Sequence, residues 1–276
     1  MTEEEWLACT DPHLMLRYLK GPESLRTITH LGQSMTFPDW LQPIYSERKL
    51  RLFACACCRR LWQLLSTERL QKLFSAVGSV GATDNGASND LNCGRMAVET
   101  AERFADGDAS SEEMTAASTI TEPSRLYRAA KGDVHGPDVW DLIATGKAID
   151  VACKAGGTLH RLSSVAFHAS QAIAFCREAQ EGEQLATDED AAQCLLIHDI
   201  FGNPFRPVTL DPSWLTPKVL SLAQGIYSDR AFDRMPILAD ALQDANCDNE
   251  EILNHCRGPG PHTRGCFVID LALGKE

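Results

Sequence analysis

This chain of 276 residues lacks several features that would place it in a functional class at once. It has no uninterrupted apolar run of about eighteen residues, so we expect no membrane span. It also lacks a basic excess: 26 Lys and Arg face 38 Asp and Glu, a net charge of −12. Since phosphate binding depends on Lys and Arg, nucleic acid is not expected as a partner. The opening "MTEEEW" is acidic and unlike a signal peptide, which predicts a cytoplasmic protein.

Catalytic signatures are missing as well. The sequence contains no G-x-S-x-G, no phosphate-binding P-loop, no G-x-G-x-x-G and no pair of His at i, i+4 with an intervening Glu. Carboxylates such as Asp138 and Asp141, beside Trp140, are too generic to be named as catalysts. We therefore predict no catalytic residue and no cofactor, although catalytic groups can converge from distant segments without a motif.

Aromatic residues make up only 7% of the chain, and no segment alternates long enough to predict a sheet. Alanine and leucine, both strong helix formers, are abundant. We predict an all-α fold, an irregular multi-helix bundle in which residues 1–276 form one compact domain with little or no sheet. Two stretches, 21–46 with three prolines and 78–94 rich in Gly, Ser and Asn, are predicted as loop insertions.

Several helix ends can be predicted from single residues. Asp11, Ser46 and Thr216 are expected to cap the helices that follow them, because their side-chain oxygens can accept backbone N–H bonds. Thr187 is expected to begin another helix by the same argument. The final segment, 265–276, is compatible with either a helix or a strand.

Cysteine is plentiful, with eleven residues, and in a reducing compartment we expect free thiols that pack as small hydrophobes. The clearest helix, "ERKLRLFACACCRRLW", contains a C-x-x-C pair, Cys55 and Cys58, in mid-helix among apolar residues, where thiols are inert. Arg59 and Arg60 fall outside its apolar arc. They are candidates for binding another protein, with a solvated face or pairing to the acidic body of this chain as the alternatives.

The segment "HCRGPGPHTRGC" offers the ligand types of a zinc site. Cys256, His262 and Cys266 are candidate ligands, and Cys247 or His255 is a candidate for the fourth. The spacing lacks the paired C-x2-C of most zinc knuckles. The alternative is a helix end followed by a rigid Gly/Pro turn, with the cysteines packed as core residues.

Four strings carry a family resemblance: "RKLRLFACACCRRLW", "FGNPFRPVTLDPSWLTP", "AFDRMPILADALQDANC" and "HCRGPGPHTRGCFVIDLALGKE". Together with the start "MTEEEWLACTDPHLML", they resemble an uncharacterised paralogous family of planctomycete proteins. The resemblance covers the first twenty or so residues, the Cys-rich helix and most of the last eighty. It implies no activity and no catalytic residue.

Three hypotheses follow for function. The first is a non-enzymatic helical module that binds another protein. The second is a small zinc protein with a structural Cys/His site, which Cys55 and Cys58 would join if the fold brings them to the C-terminal cluster. The third is an enzyme with an unfamiliar site.

Overall fold

The computed structural model describes residues 1–19, 46–62, 84–120 and 182–275. This part of the chain is helical and contains no strand, which confirms the all-α prediction. None of its helices is both long and apolar enough to cross a bilayer. Its ten α-helices are α1 (Glu3–Leu7), α2 (Pro12–Leu19), α3 (Glu47–Trp62), α4 (Asp84–Ala105), α5 (Ser111–Ile120), α6 (Gly182–Phe201), α7 (Pro217–Asp229), α8 (Met235–Asp244), α9 (Glu250–Arg257) and α10 (Phe267–Leu273).

Three of the predicted caps are confirmed. Asp11 Oδ1 accepts the backbone N–H of His13 at 2.8 Å, Ser46 Oγ that of Lys49 at 3.3 Å, and Thr216 Oγ1 that of Val219 at 3.3 Å. The predicted start at Thr187 is wrong, because α6 already begins at Gly182. The closing segment is a helix that ends at Gly274, whose φ of 64° is left-handed.

The predicted loop at 78–94 differs from the structure over most of its length. Residues 84–94 belong to α4, while 78–83, and residues 21–45 of the other predicted loop, lie outside the described residues. The later turns of α4 bury Ala97, Val98 and Ala101. Once such a packed segment has nucleated a helix, extending it through weak helix formers costs little, and composition alone misses this.

The buried apolar residues form two clusters. The N-terminal cluster is built from α1 to α6, and in α3 every residue from Lys49 to Cys58 is buried. The C-terminal cluster is built from α7 to α10. Fully buried members include Trp6, Phe53, Ile197 and Ile200 in the first, and Ile226, Met235, Leu238, Leu242 and Ile252 in the second.

Lys49 of α3 links the two clusters. Its Nζ donates to the carbonyls of Ile200 at 2.9 Å and Gly265 at 2.7 Å, and pairs with Asp270 Oδ2 at 2.7 Å. Gly265 has φ +93°, and a Cβ there would lie 3.1 Å from Leu52 Cδ1. Only glycine suits this conformation and this distance. The turn before α10 therefore lies directly against α3 and the end of α6.

Candidate metal centre

Four side chains converge at the junction of the two clusters. Asp199 comes from the last turn of α6, His255 from α9, His262 from the turn after α9, and Cys266 from the N-cap of α10. Each offers one potential ligand atom, and the four atoms all lie within 4.8 Å of one another. We call these residues the Asp199 group.

Hydrogen bonds hold the Asp199 carboxylate in a defined orientation. Its Oδ2 accepts the backbone N–H of Thr263 at 2.9 Å. Its Oδ1 lies 2.7 Å from His262 Nδ1 and 3.1 Å from His255 Nε2. That same His255 nitrogen lies 3.2 Å from Cys266 Sγ. His262 Nε2 is buried and has no hydrogen-bond partner among the described residues. The group is therefore compact, and this imidazole nitrogen is unbonded within it.

Burial and local charge act on the two acidic members in different ways. Burial opposes ionisation of Asp199, but hydrogen bonds and charge from His255 and His262 outweigh it, so the pKa of the carboxyl is lowered. Burial, with Asp199 nearby, raises the pKa of the Cys266 thiol well above its ordinary value. Without a cation between them, Asp199 thus disfavours a thiolate at Cys266.

This geometry does not suit a cysteine nucleophile. In a nucleophile–histidine–carboxylate triad, the thiol and the carboxylate bond opposite nitrogens of one imidazole. Here a single atom, His255 Nε2, faces both Cys266 and Asp199. Cys266 is also 0% exposed, and a buried thiol with a raised pKa is unreactive. Two imidazoles, a thiol and a carboxylate around one point are instead the donor types of a transition-metal site.

The structure brings some of the predicted metal ligands together and leaves others apart. His262 and Cys266 belong to the Asp199 group, as does His255, the alternative fourth ligand. Cys256 and Cys247 do not belong to it; both are buried in the C-terminal cluster. Burial raises the pKa of Cys256 to about 12, with a further contribution from Asp199. Cys256 lies next to His255, but the helix turns its side chain into the apolar core.

No sequence pattern identifies Asp199 as a candidate ligand. It lies in "CLLIHDIFG", far from the Cys/His motif in the chain, so no ligand spacing connects them. One signal was present: a carboxylate in an otherwise apolar stretch of a helix is rarely buried without a partner. Asp199 is 2% exposed, between Ile197 and Ile200, which are fully buried.

The C-x-x-C of α3 lies in the N-terminal cluster and does not join the Asp199 group. Cys55 and Cys58 are each 1% exposed, and the Cys55 thiol faces the carbonyl of Val98 at 3.9 Å. Burial, with Glu102 nearby, raises the pKa of Cys55 well above its ordinary value. These thiols pack as small apolar groups.

Arg59 and Arg60, the candidates for binding another protein, contact acidic side chains of this chain. Arg59 Nε donates to Glu102 Oε1 at 2.6 Å, and Arg60 Nη2 to Glu189 Oε2 at 2.8 Å. Both carboxylates are buried, at 2% and 3% exposed. A partner surface at these arginines stays a prediction, and it would have to compete with the internal pairs.

Comparisons with protein-family models, with curated proteins and with solved structures found no match to this chain. The resemblance to a planctomycete family therefore stays a prediction.

Proposed function

We propose that this chain is a zinc-binding protein whose ion is held by Asp199, His255, His262 and Cys266. The supporting observation is the convergence of these four donors, from three helices and a turn, within 4.8 Å. A thiolate and two imidazoles favour zinc over magnesium or calcium, which prefer oxygen ligands.

The separations between the donors are close to those of a tetrahedral site. Zinc bonds of about 2.0–2.3 Å put neighbouring ligand atoms about 3.3–3.8 Å apart. The His255–Cys266 distance of 3.2 Å is near this range, and the His262–Asp199 distance of 2.7 Å is a hydrogen bond that zinc would replace. Zinc binding therefore requires only side-chain shifts of roughly 1 Å.

The ion's charge would also change the ionisation of the buried thiol. A coordinated thiol is deprotonated outright, so zinc would offset the burial and the Asp199 charge that now raise the pKa of Cys266. Thr263 N–H, bonded to Asp199 Oδ2, would keep Oδ1 directed at the ion.

The role we propose for the ion is structural. Four protein ligands leave no coordination position for a substrate, as in closed zinc sites. Asp199 belongs to α6, which packs in the N-terminal cluster, while Cys266 is buried in the C-terminal cluster and His255 lies on α9, a helix of that cluster. A zinc ion would therefore tie the two clusters together at the point where Lys49 already connects them.

Metal content of untagged protein tests the proposal. We expect about one equivalent of zinc per chain, lost in Cys266→Ala and His262→Gln. Cys256→Ala is the matched control: it also removes a buried thiol, beside the ligand His255, yet should keep the zinc. X-ray absorption should show one sulfur and three nitrogen or oxygen ligands.

Either of two results contradicts the proposal. Wild-type protein without zinc, even after reconstitution under reducing conditions, would exclude the site. Equal loss of zinc in Cys256→Ala and Cys266→Ala would show that the ligands differ from those named here.

A further inference from the structure

A second polar group lies at the junction, next to the turn that carries the Asp199 group but built from other residues. It surrounds the side chain of Tyr227 on α7 and includes both ends of the α10 segment. We call it the Tyr227 group; its members are Arg48, Lys49, Asp106, Tyr227, Arg264, Asp270 and Lys275.

Two of its cations, Arg48 and Lys49, each have several hydrogen-bond or ion-pair partners. Arg48 donates to Asp106, Asp270 and the Tyr227 hydroxyl at 2.7–3.1 Å. Lys49 directs its ammonium to two backbone carbonyls and Asp270. Tyr227 in turn donates its hydroxyl to Asp106 at 2.6 Å. The two carboxylates, each 2% exposed, are thus partnered mainly by Arg48, Lys49 and the phenol.

The other two cations, Arg264 and Lys275, contact the group mainly through the ring of Tyr227. Arg264 and Lys275 donate no hydrogen bond to any residue that the structure describes, and Arg264 Nε is buried without a partner. Both lie over the ring of Tyr227, with the Arg264 guanidinium carbon 5.0 Å and Lys275 Nζ 4.8 Å from its centroid. Two cations with unused donors therefore converge on one aromatic ring.

The charges of the group do not balance among the residues that the structure describes. Four cations there surround two carboxylates, an excess of two positive charges on a chain whose overall charge is −12. The side chains of Arg264 and Lys275 are 18% and 28% exposed, so both are in contact with solvent. Partial burial makes this excess costly, because low dielectric strengthens repulsion between like charges.

We propose that Arg264 and Lys275 form a binding site for a doubly charged oxyanion of the phosphate class. A guanidinium presents a planar fork of donors that matches the oxygens of phosphate, and an ammonium adds a point charge beside it. One dianion would balance the excess charge of the Tyr227 group.

Among the described residues, Asp106 is the carboxylate that lies within 4 Å of both cations and would oppose the anion. Its carboxylate lies 3.8 Å from Arg264 Nη1 and 3.6 Å from Lys275 Nζ. These distances are longer than hydrogen bonds, and Asp106 is already bonded by Arg48 and Tyr227. The donors of Arg264 and Lys275 thus lack an acceptor in the described part of the chain and are available to an external one.

Calorimetric titration of the purified chain with inorganic phosphate at about pH 8, where phosphate is a dianion, tests this site. Ionic strength is held constant with potassium chloride. We expect saturable binding at one site, weakened about tenfold or more in Arg264→Gln and in Lys275→Gln, the loss of one charge-assisted contact each. Lys218→Gln is the matched control, since it removes a lysine that pairs with Asp244 at the other end of α7.

Further ligands identify the source of the oxyanion. Phenyl phosphate binding as tightly as phosphate would indicate a phosphorylated ligand, whereas binding of phosphate alone would indicate the free ion. Acetate should bind more weakly than either, because it carries one charge.

The proposal fails if wild-type protein shows no saturable phosphate binding, a result that needs no variant to fold. It also fails if Arg264→Gln and Lys275→Gln, with helical circular dichroism like wild type, bind phosphate as tightly as Lys218→Gln. Should Arg264→Gln misfold, Arg264→Lys keeps the charge and is expected to bind with intermediate affinity. Wild-type affinity in Arg264→Lys would overturn the role of the guanidinium fork.

Discussion

Glu102 of α4 and Asp199 of α6 are both buried carboxylates, with side chains 2% exposed, but their partners differ in kind. Glu102 lies between two guanidinium groups, those of Arg59 and Arg230. Asp199 faces two imidazoles and a backbone N–H. A guanidinium never loses its proton, whereas an imidazole changes charge near neutral pH and binds metals.

The comparison shows what each carboxylate can do. The Glu102 pairs are fixed, and a guanidinium cannot coordinate a metal. The two imidazoles beside Asp199 carry nitrogen atoms that can coordinate an ion. Burial alone therefore does not identify a candidate site; the chemistry of the neighbouring groups does.

The largest expected effect is the response of stability to zinc. Zinc at about 1,000 times its dissociation constant should raise the free energy of unfolding by about 4 kcal/mol, less any binding to the unfolded chain. Asp199→Asn should abolish most of this increment, and Glu102→Gln should retain it. Denaturant unfolding with and without zinc measures both. Equal increments in the two variants would remove the distinction drawn between the carboxylates.

Glu102→Gln should itself destabilise the protein by about 3 kcal/mol, because it removes the buried charge to which both Arg59 and Arg230 donate. The arginine side chains are 27% and 31% exposed, which places the cost at the low end for buried ion pairs. Urea unfolding at neutral pH checks this. A loss below about 0.5 kcal/mol, as for an exposed pair, would contradict it.

The contacts of Glu102 with Arg59 and Arg230 also predict that the stability of the protein depends on pH. Burial opposes ionisation of Glu102, but hydrogen bonds from Arg59 and Arg230 outweigh it and lower the pKa below its ordinary 4.5. The contribution to stability is therefore complete above pH 4.5 and is lost as the pH falls through the lowered pKa. We expect the difference in unfolding free energy between wild type and Glu102→Gln to shrink from pH 7 to about pH 3. A constant difference would show that the charge is not responsible.

Gly265 lies against Leu52 and directly precedes Cys266 of the Asp199 group. Its substitution is expected to have the next largest effect on stability. Gly265→Ala should cost about 2 kcal/mol or more, since it combines a left-handed φ with a Cβ pressed against Leu52. Gly274→Ala is the control: its φ is +64°, but a Cβ there would meet no described atom within 4 Å, so about 1 kcal/mol is expected. Thermal unfolding of the two variants separates the effect of close packing from that of backbone strain. Equal losses of stability in the two variants would exclude a contribution from packing against Leu52.

Sequence patterns predicted the helices well where the signal is local. A cap such as Ser46 acts on the N–H three residues later, and a mid-helix C-x-x-C among apolar residues indicates burial. The helical state of residues 84–94 could not be predicted in this way, because their composition favours a loop and the packing of later turns decides the outcome.

The candidate site also contains residues that local sequence patterns identify and one that they do not. His262 and Cys266 were found because they share one short motif with glycines and prolines. Asp199 could not be found by spacing, since only the docking of α6 against the turn before α10 brings it to them. Cys256 is a predicted ligand because it lies near His and Cys residues in the chain. The helix directs its side chain into the apolar core, which ligand spacing in the sequence does not reveal.

The smallest expected effect concerns a third carboxylate, Asp244, which pairs with Lys218 at 2.9 Å. The two side chains are 71% and 63% exposed, so water screens the pair and either residue alone remains well solvated. Lys218→Gln should therefore change the unfolding free energy by less than about 0.5 kcal/mol. Urea unfolding of Lys218→Gln and Glu102→Gln under the same conditions measures the two changes in unfolding free energy. If the exposed pair cost as much as the buried one, desolvation would not be the reason that Glu102 and Asp199 depend on their partners.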